Sequence, residues 1–158
     1  DVYGVPLWSD GGIRTPADVV VALIAGARAV MIGTLFAGTD EAPGEKISIG
    51  EQEFKKHRGM GSHGAMQAGS GERYRQSGID ERERVAEGVE GLVPYRGSVK
   101  RVVTLFVGGL RNSMGYVGAR TIEELREKGV LQLRTAGSIE ETLPHDMEVT
   151  EGEFVTLE

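Results

Sequence analysis

A strand, a helix and a second strand follow one another with short links between Val5 and Thr34, and that order restricts the fold more than any other feature of the chain. Val5-Pro6-Leu7-Trp8 is a short apolar run that stops at Ser9-Asp10-Gly11-Gly12, the pattern of a buried strand entering a loop at its carboxyl end. Thr15 and Pro16 supply an N-cap and a first helical residue, and the helix runs through Ala17 to Ile24 before Gly26 offers a left-handed stop. Ala29-Val30-Met31-Ile32 reads as a second buried strand closing on Gly33-Thr34. Strands joined through a helix lie parallel, so the expected class is α/β.

Both strands end in small and polar residues. In parallel α/β folds ligands bind at the carboxyl ends of strands, where loops turn backbone N–H groups toward an anion. Leu35-Phe36-Ala37-Gly38 reads as a short helix whose N-terminus could face a phosphate. The same glycines also suit plain turns. Asp10 adds a carboxylate beside two of them, placed to accept hydrogen bonds from sugar hydroxyls.

Thr39 to Gly44 reads as a turn, and Lys46 to Lys55 alternates about Gly50 as a β-hairpin. Arg58 to Glu90 is then glycine-rich and poor in large apolar residues, the composition of a linker or a mobile functional loop. The whole chain holds 24 glycines, about twice the usual share, which implies many tight turns and close backbone approaches. Gly91 to Gly97 looks like an extended return, with Pro94 favouring a sheet edge. Ser98 can cap a long helix whose apolar positions are Val99, Val102, Val103, Phe106, Val107 and Leu110. Gly108-Gly109 inside it marks close packing or a break. Thr121 and Glu124 form a capping box opening a helix that stops at Gly129. Val130 to Thr135 reads as a short strand, and Gly137 to Glu158 as an extended or loosely docked tail.

Several function classes are disfavoured. A formal charge of −6 argues against a general nucleic-acid surface. The absence of cysteine leaves no disulfide framework or cysteine-based zinc site. No apolar run approaches the ~20 residues of a membrane span. The first residues do not form a secretory signal, so a cytoplasmic location is expected.

The motifs DGGIR, FAGTDEAPGE, RGMGSHGAM, ERY, AEGVEG, GGLRNSMGY and TIEEL, with the GT that closes the second strand, stand here in one order. Together they resemble the C-terminal part of the inosine-5′-monophosphate dehydrogenase family, over essentially the whole chain. That resemblance implies the C-terminal portion of a (β/α)8 TIM barrel, strands 7 and 8, with an inserted hairpin and a mobile flap. Residues 1–45 would be the last two strand/helix units, 46–95 the hairpin and flap, and 96–158 the closing helices and tail. The implied reaction oxidises inosine monophosphate to xanthosine monophosphate with NAD, in guanine nucleotide synthesis. A cysteine attacks the purine, hydride passes to NAD, and the flap then enters to hydrolyse the covalent intermediate.

Carried over residue by residue, the resemblance gives Asp10 to the ribose and Gly11, Gly12, Gly33 and Thr34 to the phosphate. Arg58, Gly59, Met60 and Gly61 would continue around the nucleotide, and Glu87 would hydrogen-bond the purine. Arg73 and Tyr74 would be the catalytic flap pair, Arg73 as the base that activates water. Glu141, Thr142 and Leu143 would offer backbone carbonyls to K⁺ at a subunit boundary in a homotetramer or a larger assembly.

The chain departs from the pattern in two ways. His57 stands where the family has a tyrosine on the substrate phosphate, and an imidazole can still donate a hydrogen bond there. The nucleophilic cysteine is absent, so the 158-residue segment alone is expected to be inactive and to be a piece of a longer chain. A GMP reductase-like enzyme and a non-catalytic assembly fragment are the competing expectations. The Arg73-Tyr74 pair favours the dehydrogenase, because a reductive deamination has no step that needs activated water.

Overall fold

The computed structural model describes residues 4–76, 78–80 and 82–140. Its elements run β1 (Trp8–Asp10), α1 (Pro16–Ile24), β2 (Ala29–Met31), α2 (Thr34–Ala37), β3 (Lys46–Ile49) and β4 (Gln52–Arg58). There follow α3 (His63–Gln67), a 3-10 turn (Ser70–Glu72), β5 (Glu90–Pro94), α4 (Val99–Tyr116), α5 (Ile122–Lys128) and α6 (Ala136–Glu140). The chain is mixed α/β, as expected, and divides into two compact units. One comprises Asp1–Met31 with Leu105–Glu158, the other Ile32–Thr104.

In the first unit β1 and β2 pair in parallel, Trp8 opposite Ala29 and Asp10 opposite Met31. The helix between them starts where local chemistry places it. Thr15 Oγ1 accepts from the Asp18 N–H, and the Asp18 carboxylate accepts from the Thr15 N–H at 2.7 Å, a reciprocal cap. Gly26 ends the turn with φ +106, which an L side chain rarely adopts. Val19, Leu23, Ala27 and the fully buried Leu125 of α5 form the core. Arg126 ties the two helices together, donating to Leu23 O at 3.0 Å and Ala27 O at 2.6 Å. A cation on the last carbonyls of a helix is favoured by the helix dipole.

Four expectations for this unit need correcting. The first strand begins at Trp8 rather than Val5, so Ser9 and Asp10 belong to it and not to the following loop. Neither it nor β2 is buried: Trp8 is 65% and Met31 45% exposed, in a sheet of two strands among the described residues. The glycines of α4 do not break the helix, which is continuous. Gly109 serves close packing alone, since a Cβ there would collide with the Pro16 ring. Val130 to Thr135 forms no strand; Val130 is 80% and Leu133 fully exposed, and an apolar alternation becomes a strand only beside a partner. Residues 141–158, which include most of the expected tail, lie outside the described residues.

The second unit is built on an antiparallel sheet in the order β3-β4-β5. Its hairpin turns on Gly50-Glu51 with φ +62 at Gly50, the two-residue connection that glycine in first position allows. Here β4 runs on past Lys55 to Arg58, pairing His57 with Gly91 and Arg58 with Glu90, so both residues are held in a ladder. Pro94 ends the edge strand β5, where its missing N–H costs no ladder bond.

The Thr39–Glu45 stretch is more than a turn. It is strapped to the sheet at successive points. Tyr95 OH donates to Asp40 Oδ1 at 2.6 Å, and the Val99 N–H at the start of α4 donates to Glu41 Oε2 at 2.7 Å. Lys56 Nζ meets Glu45 Oε2 at 2.6 Å. That hydrogen bond holds the Glu45 carboxyl below its ordinary range, so its contribution is present above that range and fades as pH falls through the lowered value. The bond to Asp40 raises the Tyr95 hydroxyl in turn, keeping the donor protonated.

Candidate functional site

The expected site residues divide between the two units. Asp10, Gly11 and Gly12 lie in the first. There Asp10 closes β1 and is exposed, and Gly11 and Gly12 follow with φ +85 and +74, two successive conformations suited to glycine. No atom of the described residues crowds either glycine, so among these residues they serve backbone shape and not close packing. Gly33, Thr34, His57 to Gly61, Arg73, Tyr74 and Glu87 lie in the second unit. Glu141, Thr142 and Leu143 are outside the described residues.

Within the second unit the glycine-rich stretch folds back on itself. The Gly61 carbonyl accepts from both the Glu87 N–H at 2.9 Å and the Gly88 N–H at 3.0 Å, and the Gly59 N–H donates to Val89 O at 2.9 Å. The two ends of the stretch are therefore clasped backbone to backbone. Side chains are excluded by this approach: a Cβ on Gly88 would come within 2.9 Å of Ser62 N, and one on Gly61 within 3.0 Å of the Tyr74 ring. Tyr74 lies against Gly61, half-buried, while Arg73 beside it is exposed. Gly61, Tyr74 and Glu87, assigned separate roles in the sequence, thus meet in one place.

Ser62 and Glu90 lock the clasp. Ser62 is 2% exposed; its hydroxyl donates to Glu90 Oε1 at 2.8 Å and accepts from the Ala65 N–H, capping α3. The Gly64 N–H donates to the same carboxylate oxygen at 3.0 Å, and Arg58 reaches Gly64 O at 3.3 Å. A Cβ on Gly64 would stand 2.5 Å from Glu90 Oε1. Gly64→Ala and Glu90→Gln should each loosen the clasp by about 1–2 kcal/mol. Because the alanine displaces the same carboxylate, the double variant should cost little more than either single one. Amide exchange at Gly61 to Ala65 reads this, and additive losses would mean that the two residues act separately.

A cavity of about 790 Å³ opens beside the clasp. Ala42, Pro43 and Gly44 of the strap form one wall, with Ala37 of α2. His57 and Arg58 of β4 and Glu90 to Leu92 of β5 form the other. Lys56 and Glu45 also line it, as a salt bridge. An opening of this size accepts a nucleotide-sized ligand, and its lining joins the half-buried His57 imidazole to cationic and carboxylate groups.

The sequence profile of a family described as IMP dehydrogenase / GMP reductase domain matches residues 1–145. The chain belongs to that family. The inosine-5′-monophosphate dehydrogenase of Cryptosporidium parvum is 48% identical over 147 residues, 93% of this chain and 37% of the relative. That of Rhodopirellula baltica is 49% identical over 147 residues, covering 93% and 27%, and that of Thermoplasma acidophilum 49% over 144 residues, covering 91% and 29%. The chain thus spans about a third of the length of the curated relatives it matches.

Ser62, Gly64 and Glu90 of this IMP dehydrogenase / GMP reductase domain are site residues that the sequence alone does not single out. Ser62 carried a readable signal, an N-cap residue ahead of the short apolar run of α3. Glu90 did not, because its partners lie 26 and 28 residues earlier.

Proposed function

We propose that this chain is the C-terminal part of the (β/α)8 catalytic barrel of an IMP dehydrogenase, β1 and β2 being barrel strands 7 and 8 and residues 58–90 its flap. What carries the proposal is the likeness, 48–49% over more than nine tenths of the chain, to three proteins that are dehydrogenases of inosine monophosphate. The meeting of Gly61, Tyr74 and Glu87 supports it, since these are the residues given to nucleotide, hydrolysis and purine. The complete enzyme would bind IMP through Asp10 at the ribose and Gly11, Gly12, Gly33, Thr34 and His57 at the phosphate. Arg58, Gly59, Met60 and Gly61 would extend that contact around the nucleotide.

NAD supplies the hydride acceptor; no residue of this chain is assigned to it. The upstream part of the barrel would bring the cysteine nucleophile, and the Arg73-Tyr74 pair would follow to activate water. K⁺ at Glu141, Thr142 and Leu143, a homotetrameric or larger assembly and a cytoplasmic location belong to the same proposal.

The test adds IMP, NAD and K⁺ to the full-length protein and follows NADH absorbance. NADH appearing in step with xanthosine monophosphate is the expected result. No turnover of IMP, with a reduced nicotinamide consumed in the presence of GMP, would favour the reductase instead.

A further inference from the structure

Lys55 is the most deeply buried charged side chain among the described residues, 4% exposed in the middle of β4. Its ammonium donates to the carbonyls of Thr39, at 2.7 Å, and Ala42. It forms no ion pair with any described residue. A cation without a carboxylate is costly to bury, and an apolar side chain of the same length would fill the space more cheaply. The ammonium is therefore present for the carbonyls it holds.

Those carbonyls belong to the strap that closes α2. Thr39 is 1% exposed, and its hydroxyl and N–H both donate to Phe36 O in the last turn of that helix. From Lys55 the contacts thus run through Thr39 to α2, whose first residues are Gly33, as its N-cap, and Thr34. Along β4 in the other direction lies His57, two residues on and on the same face of the strand. Gly33-Thr34 and His57 are the contacts proposed for the nucleotide phosphate, and all of them lie in one unit.

We propose that Lys55 is a positioning residue for phosphate binding: it sets the spacing between the α2 end and the His57 end of the phosphate cradle, through the strap wall of the cavity. Lys55 itself need not touch the ligand. A fixed ammonium suits that task because its three donors aim at point acceptors and a rigid cross-link transmits position. The inference rests on the reading that the complete protein binds IMP.

The test uses the full-length protein, with IMP as the probe. Lys55→Met is expected to raise KM and Kd for IMP at least tenfold while kcat at saturating IMP stays within threefold. Lys55→Arg, which can span both carbonyls, should restore KM to within threefold of the parent. Should the Met variant yield no folded protein, Lys55→Gln, which keeps a donor and loses the charge, is held to the same tenfold criterion. An unchanged KM in folded Met or Gln variants overturns the inference, as does an equal fall of kcat and kcat/KM, which would place the effect on chemistry. Failure of the parent protein to bind IMP would instead overturn the functional reading, so the two failures are distinct.

Discussion

Gly44→Ala is expected to destabilise the Ile32–Thr104 unit by about 3 kcal/mol, among the largest effects of any single methyl added to this chain. Two costs coincide. Gly44 has φ +118, where an L residue is strained by about 1–2 kcal/mol. Its new Cβ would also collide with the Lys56 carbonyl oxygen, and overpacking against backbone adds about 1–3 kcal/mol because no side chain can swing away. The neighbouring Glu45 carbonyl accepts the Lys56 N–H at 2.9 Å, so relief of the clash would pull that bond apart. Amide exchange of β4 in the full-length protein should quicken about 100-fold, the change that ~3 kcal/mol of local opening produces. Exchange within threefold of the parent would mean that the strap moves freely and that its fastening is weak. Since Gly44 lines the cavity, ligand affinity should fall with it.

The distance along the chain between a residue and its partners explains where the chain was legible and where it was not. Thr15, Pro16, Asp18 and Gly26 act on residues at most four positions away, so the cap and stop of α1 can be read directly. The hairpin around Gly50 is local for the same reason. Lys55 is different: its partners precede it by 13 and 16 residues, and no composition or periodicity distinguishes it from the exposed Lys56 beside it. Val130 to Thr135 failed because a strand is a pairing and the apolar pattern supplies only one side of it.

The glycine-rich stretch was legible in composition but ambiguous in meaning. Glycine serves either conformational freedom or close approach, and a sequence does not say which. Gly69 and Gly78, at φ +118 and +144, take the first use. Gly59, Gly61, Gly64 and Gly88 take the second, each with a neighbour that a Cβ would press upon. A segment that reads as loose thus contains a tightly clasped base, and its motion as a lid would have to pivot above that base. Arg75 adds a further constraint, since it holds φ +54 directly after the proposed catalytic pair.

That pair carries the second large effect. Arg73→Ala in the full-length protein is expected to slow steady-state turnover about 100- to 10,000-fold, the range that a lost general base produces. A guanidinium is a poor base in water, and the exposed Arg73 makes no ion pair with any described residue that would fix its charge. Entry into a closed, partly dry site beside the Tyr74 hydroxyl would disfavour the cation and let it take a proton from water. Tyr74 already lies against Gly61, so delivery of Arg73 would start from the segment proposed to contact the nucleotide. Because the proposed base would act only after hydride transfer, the variant should still release close to one NADH per site in its first turnover and then stall. Rapid mixing with IMP and NAD separates the two phases. A variant that loses the first-turnover NADH as completely as the steady-state rate would show that Arg73 serves binding or hydride transfer, and the water-activating role would be abandoned.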